Sequence, residues 1–515
     1  MTSRLLLLVA LVPRPLAAQP ALATELVRAS RLLDAWDVEE AERIVEQAAE
    51  GAPADPDLLY LRSRVRFHRG RYADALADVR SAIARRRTRE DWKSFRDLVE
   101  STVAVTRDFV QTATADRRFL IRTNAADAVL VPLLEETLAA AASEVGSDLG
   151  LVPSGPIVVE VLPDAEALAR VSTLTLAEIR ASGTIALCKW NRLMITSPRA
   201  LVRGYPWRDT VCHEYTHLVI SRATAGTAPI WFHEGLAKLE ERRWSPQASI
   251  GVDPALAYLL DRAAQSGALI PFERMHPSLA KLPTQEQAAL AFAEVGSLLR
   301  FVQRRAGMEG IRAALGRMRA GEDAQTAVAR AMRTSWYRVV ESWRADIRAR
   351  RGPPPSAARV LALRFREGGG DPDDTSDIEA ERARRYVRLG DLLWERSRPA
   401  AAAVEYERAA RVTPEDPIVA NRAARALLET GRPAQVPALV ARSLALYPDF
   451  PQSHVHLAVA HAAAGDRAAA IRSFERALGL NPFDPNVRCA LEQLYRDAGE
   501  AELAERERQA CEATR

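Results

Sequence analysis

Four residues in a short stretch of this 515-residue chain have the types and spacing of a metal-dependent hydrolytic site. His213 and His217 stand four apart. On a helix, positions i and i+4 lie one above the other, so both imidazoles can reach one metal ion. Glu214, the next residue along, is rotated away from that pair and can take a proton from a water activated by the metal. A catalytic zinc site needs three protein ligands, and two histidines leave it one short. Glu234 is the candidate third ligand. It follows His217 by seventeen residues, enough for one helix to end, the chain to turn and a second helix to lie alongside. Gly226 suits the end of the first helix and Pro229 the first turn of the second. His233 competes with Glu234, but sequence neighbours point to different faces of a helix, so only one of them can serve.

The run His213-Glu214-Tyr215-Thr216-His217, followed by Pro229, Trp231, Glu234 and Gly235 as Pro-x-Trp-x-x-Glu-Gly, resembles the gluzincin metallopeptidases. More narrowly, it is similar to the bacterial MA-like peptidase domains found with tetratricopeptide repeats. The resemblance implies a zinc ion held by His213, His217 and Glu234, with Glu214 as general base. It also implies an α+β zincin-like catalytic domain, a small mixed sheet plus helices, whose sheet edge pairs with an extended peptide substrate. A metzincin is excluded, because Ile220 and Ala223 occupy its glycine and third-histidine positions. One departure concerns Phe292, which stands where the resemblance calls for a tyrosine to stabilise the oxyanion. Tyr215, Tyr258, His276 and Tyr337 remain as candidates for that role.

The elements that must position these residues can be read around them. Phe119 to Arg122 is a short strand candidate, Val131 to Val145 an amphipathic helix, and Pro156 to Leu162 an apolar strand. Gly183 to Ser197 reads as a hairpin turning near Trp190-Asn191. After the motif only helical spacing is found: Pro254 to Gln265, Thr284 to Arg305, Met308 to Met318, Asp323 to Met332 and Trp336 to Arg348.

Repeats flank this region. Pro414, Pro448 and Pro482 are spaced by 34 residues, as are Gly431, Gly465 and Gly499, which is the tetratricopeptide period. Ala41 and Ala48 recur as Ala75 and Ala82 at the same interval, in a more degenerate pair. The expected organisation is a signal peptide at 1–23, repeat-like helices at 24–115, the peptidase domain at 116–350, a linker at 351–377 and four repeats at 378–515. The Pro- and Gly-rich linker composition implies a repeat array separable from the catalytic region. In the last repeat, Cys489 and Cys511 fall at one level of two antiparallel helices and are expected to form a disulfide. Nothing fixes the separation of Cys188 and Cys212.

Composition narrows the function. A net charge of +4 over this length, with acidic and basic residues interspersed, gives no nucleic-acid footprint. Arg4 followed by the apolar run Leu5 to Val12 reads as an export signal, with cleavage after Ala18 or Ala23. No later run is apolar enough to span a bilayer. The reading is therefore an exported zinc metallopeptidase of a bacterial periplasm, with repeats that bind a protein partner or a peptide substrate. The alternative is an assembly scaffold whose peptidase-like domain is inactive.

Overall fold

A computed structural model describes residues 18–86, 89–245, 253–349 and 374–515. The expected signal segment and linker lie mostly outside the described residues. The chain divides into two compact units, one ending at Ala104 and the other running from Val105 to Arg515.

The first unit is built of paired helices: Ala18–Asp34, Val38–Gly51, Pro56–His68 and Tyr72–Arg85, with Glu90–Val105 following. Asp37 and Asp55 cap the second and third by accepting backbone N–H bonds, and Pro56 opens the third, where a missing N–H costs nothing. The alanines at the repeat interval are the buried ones: Ala41, Ala75 and Ala82 are fully covered. Their small side chains let the paired helices approach.

The second unit holds one sheet of five strands: β1 (Val110–Ala113), β2 (Phe119–Thr123), β3 (Ile157–Leu162), β4 (Ala186–Lys189) and β5 (Arg192–Thr196), in the order β1-β2-β3-β5-β4. β2, β3 and β5 run parallel, while β1 and β4 are antiparallel edges. Trp190 and Asn191 join β4 to β5, both at positive φ, as a two-residue hairpin turn requires. β3 and β5 are buried along their whole length. Within the sheet the buried Glu160 lies between Arg122 (3.7 Å) and Arg192 (3.5 Å).

The expected fold class is corrected here. Helix accounts for 71% of the structure and strand for 5%, so the protein is mainly α and not an α+β zincin-like catalytic domain with helical flanks. Strands of only four to six residues make a small insert among helices. Among the described residues, the segment after the motif adds none. It holds Pro254–Ser266, Gln285–Arg319, Ala324–Ala331 and Trp336–Arg348. The long Gln285–Arg319 helix is interrupted at Gly307, whose φ of 68° is non-helical.

Eight helices follow, from Glu381–Glu395 to Ala501–Thr514, in four antiparallel pairs. Gly390 meets the ring of Tyr406 so closely that a Cβ there would lie 2.4 Å from it. In the last pair, Cys489 and Cys511 are joined in a disulfide with Cα atoms 5.4 Å apart. Beside them the buried Arg488 bonds Glu507 and the Pro482 carbonyl. These repeats dock on the rest of their unit: the Tyr205 N–H donates to the Leu480 carbonyl at 3.1 Å.

Candidate metal centre

The helix Trp207–Ala223 carries His213, Glu214 and His217, and it lies against β4 and β5. It ends before Ala225 and Gly226, both at positive φ, and the Gly226 N–H returns to the Ser221 carbonyl at 2.8 Å. Pro229 then caps the second helix, Ile230–Glu240. Asp209 fastens the two ends together, accepting from Arg242 at 3.1 Å and from the Trp244 indole at 2.7 Å. Cys212 adds a thiol donation to the Glu240 carbonyl.

This hairpin of helices brings the four sequence candidates together. Oε2 of Glu234 lies 3.2 Å from Nε2 of His213 and 3.3 Å from Nε2 of His217. The ligand-capable atoms of His213, Glu214 and His217 lie within 4.8 Å of one another. Glu214 is buried, and its Oε2 has no hydrogen-bond partner. The Cys188 N–H of β4 supports the same carboxylate. Burial raises the Glu214 carboxyl, which suits a proton acceptor, although His217 and His213 oppose the shift. Two imidazoles, a carboxylate and a second carboxylate with a free oxygen form the donor set of a catalytic zinc site, so these residues fit that ion.

Two partners escaped the sequence reading. Glu241 lies 3.6 Å from Nδ1 of His213 and is itself paired with Lys238 at 2.7 Å. A carboxylate there orients the ring and leaves Nε2 facing Glu234. His233 does not meet the two Nε2 atoms as Glu234 does. Its Nδ1 lies 3.3 Å from Nδ1 of His217, a partner for the other side of that ring. Burial and the neighbouring His217 hold the His233 pKa down at about 3, so it stays neutral. Burial works against charge on His213 too, but Glu234 and Glu241 prevail and lift it to about 9. Glu234 stays ionised well below the usual carboxylate range: burial opposes this, and the two histidines outweigh it.

The oxyanion candidates are not drawn in. Tyr215 packs its ring edge on Phe119 of the sheet, Tyr337 is 73% exposed, and His276 is exposed. Tyr258 packs beside Leu259 and Ala289. Phe292 does reach the centre, its ring 6.4 Å from that of His213, so the segment is present without the phenol.

Residues 26–90, 387–435 and 436–485 match the tetratricopeptide repeat family. These segments are tetratricopeptide repeats. The His–Glu cluster lies outside all three. Among solved structures, the chain is similar to the Cut9–Hcn1 hetero-tetramer of the APC/C at 13% identity and a TM-score of 0.24, covering 96% of this chain and 81% of that one. Yeast Tom70 is 12% identical with a TM-score of 0.22, covering 96% and 88%. MamA is 13% identical with a TM-score of 0.24, covering 28% and 80%. No curated protein matches the sequence. No described helix is long and apolar enough to cross a membrane.

Proposed function

We propose that this tetratricopeptide-repeat protein is a zinc-dependent peptidase. The reading rests on one observation: Nε2 of His213 and Nε2 of His217 converge on a single carboxylate oxygen of Glu234, at 3.2 and 3.3 Å. His213, His217 and Glu234 would hold the ion, which when bound supplies a Lewis acid and acidifies water. Glu214 takes the proton from the attacking water and hands it to the leaving amine. Glu241 and His233 fix the two imidazoles from behind. β4 is the sheet edge beside Glu214, and an edge strand can pair with an extended peptide, which favours a peptide substrate. The apolar leader and the Cys489–Cys511 disulfide support export to an oxidising compartment.

The matched repeats favour a second reading, an assembly scaffold in which the His–Glu cluster is only structural. Repeat arrays of this kind commonly hold protein partners, and the scaffold needs no metal. Metal analysis of the purified full chain separates the two. The peptidase reading expects about one zinc per chain, lost in His217→Ala, with peptide hydrolysis abolished in Glu214→Gln. Zinc-free wild-type protein with no hydrolysis leaves the scaffold.

A further inference from the structure

We infer that the C-terminal repeats are a positioning element for the helix carrying His213, Glu214 and His217, an inference that rests on the metal-site reading of that cluster. The chain passes from β5 to that helix through residues 198–206, and this segment is seated on the repeats. Gly204, at φ 67°, lies so near the turn after the third repeat that a Cβ would fall 2.0 Å from the Leu480 carbonyl oxygen. The next residue, Tyr205, donates its N–H to the same oxygen at 3.1 Å. Tyr205 is itself buried, with its hydroxyl on the Thr196 carbonyl of β5.

Two guanidinium groups flank this junction. Arg199 sits 3.9 Å from the ring centroid of Phe483, and Arg203 sits 4.7 Å from that of Phe450. Arg203 also lies 3.7 Å from the Asp374 carboxylate, which Arg422 of the second repeat binds at 2.8 Å. A separate strut runs from the last helix. Arg506 bonds Glu136 at 2.6 Å, and Glu136 lies 3.7 Å from Arg208 in the first turn of the motif helix.

Both supports therefore meet the motif helix at its start, with Arg208 five residues before His213. The helix moves as one body, so a displacement at its first turn carries through to both imidazoles. Glu234 stands on a second helix that is tied to the first through Asp209 and Cys212 but carries none of these contacts to the repeats, so the two helices shift unequally. The repeats thereby set the spacing between the two histidines and their carboxylate partner, a spacing that a ligand set tolerates only within about 0.5 Å. Their own footing is firm, since the disulfide joins the two helices of the last repeat and Arg488 grips the Pro482 carbonyl beside Leu480.

The test uses full-length protein and measures zinc affinity by chelator competition, with the visible spectrum of the cobalt-substituted chain, both well below the unfolding temperature. Gly204→Ala, and separately Arg203→Ala with Arg506→Ala, are expected to weaken zinc binding about tenfold, the lower end for outer supports of a metal site, and to alter the cobalt bands. Arg203→Lys in place of Arg203→Ala restores part of the loss. Wild-type affinity and spectrum in the folded double variant overturn the inference, whether or not Gly204→Ala folds. A wild-type chain whose zinc binding is indifferent to His217→Ala overturns the metal-site reading itself and this inference with it. The two failures are thus told apart.

Discussion

Replacing Gly235 with alanine puts the geometry beside Glu234 to a direct test. A Cβ at Gly235 would stand 2.7 Å from the Val295 carbonyl oxygen and 2.8 Å from Cδ2 of Leu299, both on the long helix Gln285–Arg319. Ordinary contact begins near 3.4 Å, so the two helices must part by about 0.7 Å. The first obstacle is backbone and the second a fully buried leucine, so neither can swing aside. Overpacking of this kind costs about 1–3 kcal/mol. Alanine in place of glycine inside a helix returns about 1 kcal/mol. The net expectation is a loss of up to about 2 kcal/mol, read from thermal or urea unfolding. The displacement also exceeds the roughly 0.5 Å tolerance of a ligand set, so zinc affinity should fall with stability. Gly296→Ala is the control, because its Cβ would lie 3.1 Å from Cβ of Lys238 and ask for only a few tenths of an ångström. It should stay within about 1 kcal/mol of wild type, on the stabilising side. If Gly235→Ala matched wild type in both stability and zinc affinity, close helix approach would not be what requires glycine there.

Other outcomes follow from the same site and its surroundings. Glu214→Gln should keep about one zinc per chain while hydrolysis drops by roughly 10²–10⁴, whereas Glu234→Ala should lose metal and activity together; equal zinc loss in both would show the ligand set to be misassigned. Glu241→Gln should weaken zinc binding by about tenfold with little change in unfolding temperature, and unchanged affinity would remove it as the support of His213. Glu294, buried on the long helix, accepts the Ile270 N–H at 2.8 Å, and burial lifts its carboxyl to about 8 from a usual 4.5, with Arg344 nearby opposing the shift. Between those values the folded chain holds a proton that the unfolded chain releases, so this group destabilises the fold increasingly as pH rises from about 4.5 to 8. Glu294→Gln should therefore gain stability relative to wild type as pH rises through that window, and a pH-independent difference would refute it.

The parts of the candidate site that were legible in the sequence are the local ones. His213, Glu214 and His217 are read from helical periodicity, and Glu234 from the length needed to turn between two helices together with the gluzincin resemblance. Glu241 lies two turns beyond Glu234, so extending that helix face would have found it. His233 could not be placed as the partner of His217, because their meeting depends on how two helices cross. The hairpin around Trp190-Asn191, the break near Gly307 and the 34-residue repeats are short-range patterns, and all appear where expected. β1 was hidden inside an expected helical stretch, since Val110–Ala113 is a four-residue, mostly exposed edge strand without alternating apolar residues. The fold class was misjudged for a related reason: strand signals were weighed as a structural layer, yet they amount to 24 residues spread over β1 to β5. The seating of residues 198–206 on Leu480 leaves no mark in either segment except Gly204.

That seating also bears on the order in which the molecule can be made. Glu136 and Arg506 are 370 residues apart in the chain, and the Tyr205–Leu480 bond spans most of the same length. Contacts closed over such distances form late, because the entropy of bringing remote segments together must be met before they contribute anything. A growing chain can wind the motif helix and the sheet as soon as they emerge, but it cannot complete their footing until its last repeat exists. A polypeptide cut short before residue 480 therefore carries the His–Glu cluster on a helix that lacks its contacts to the repeats.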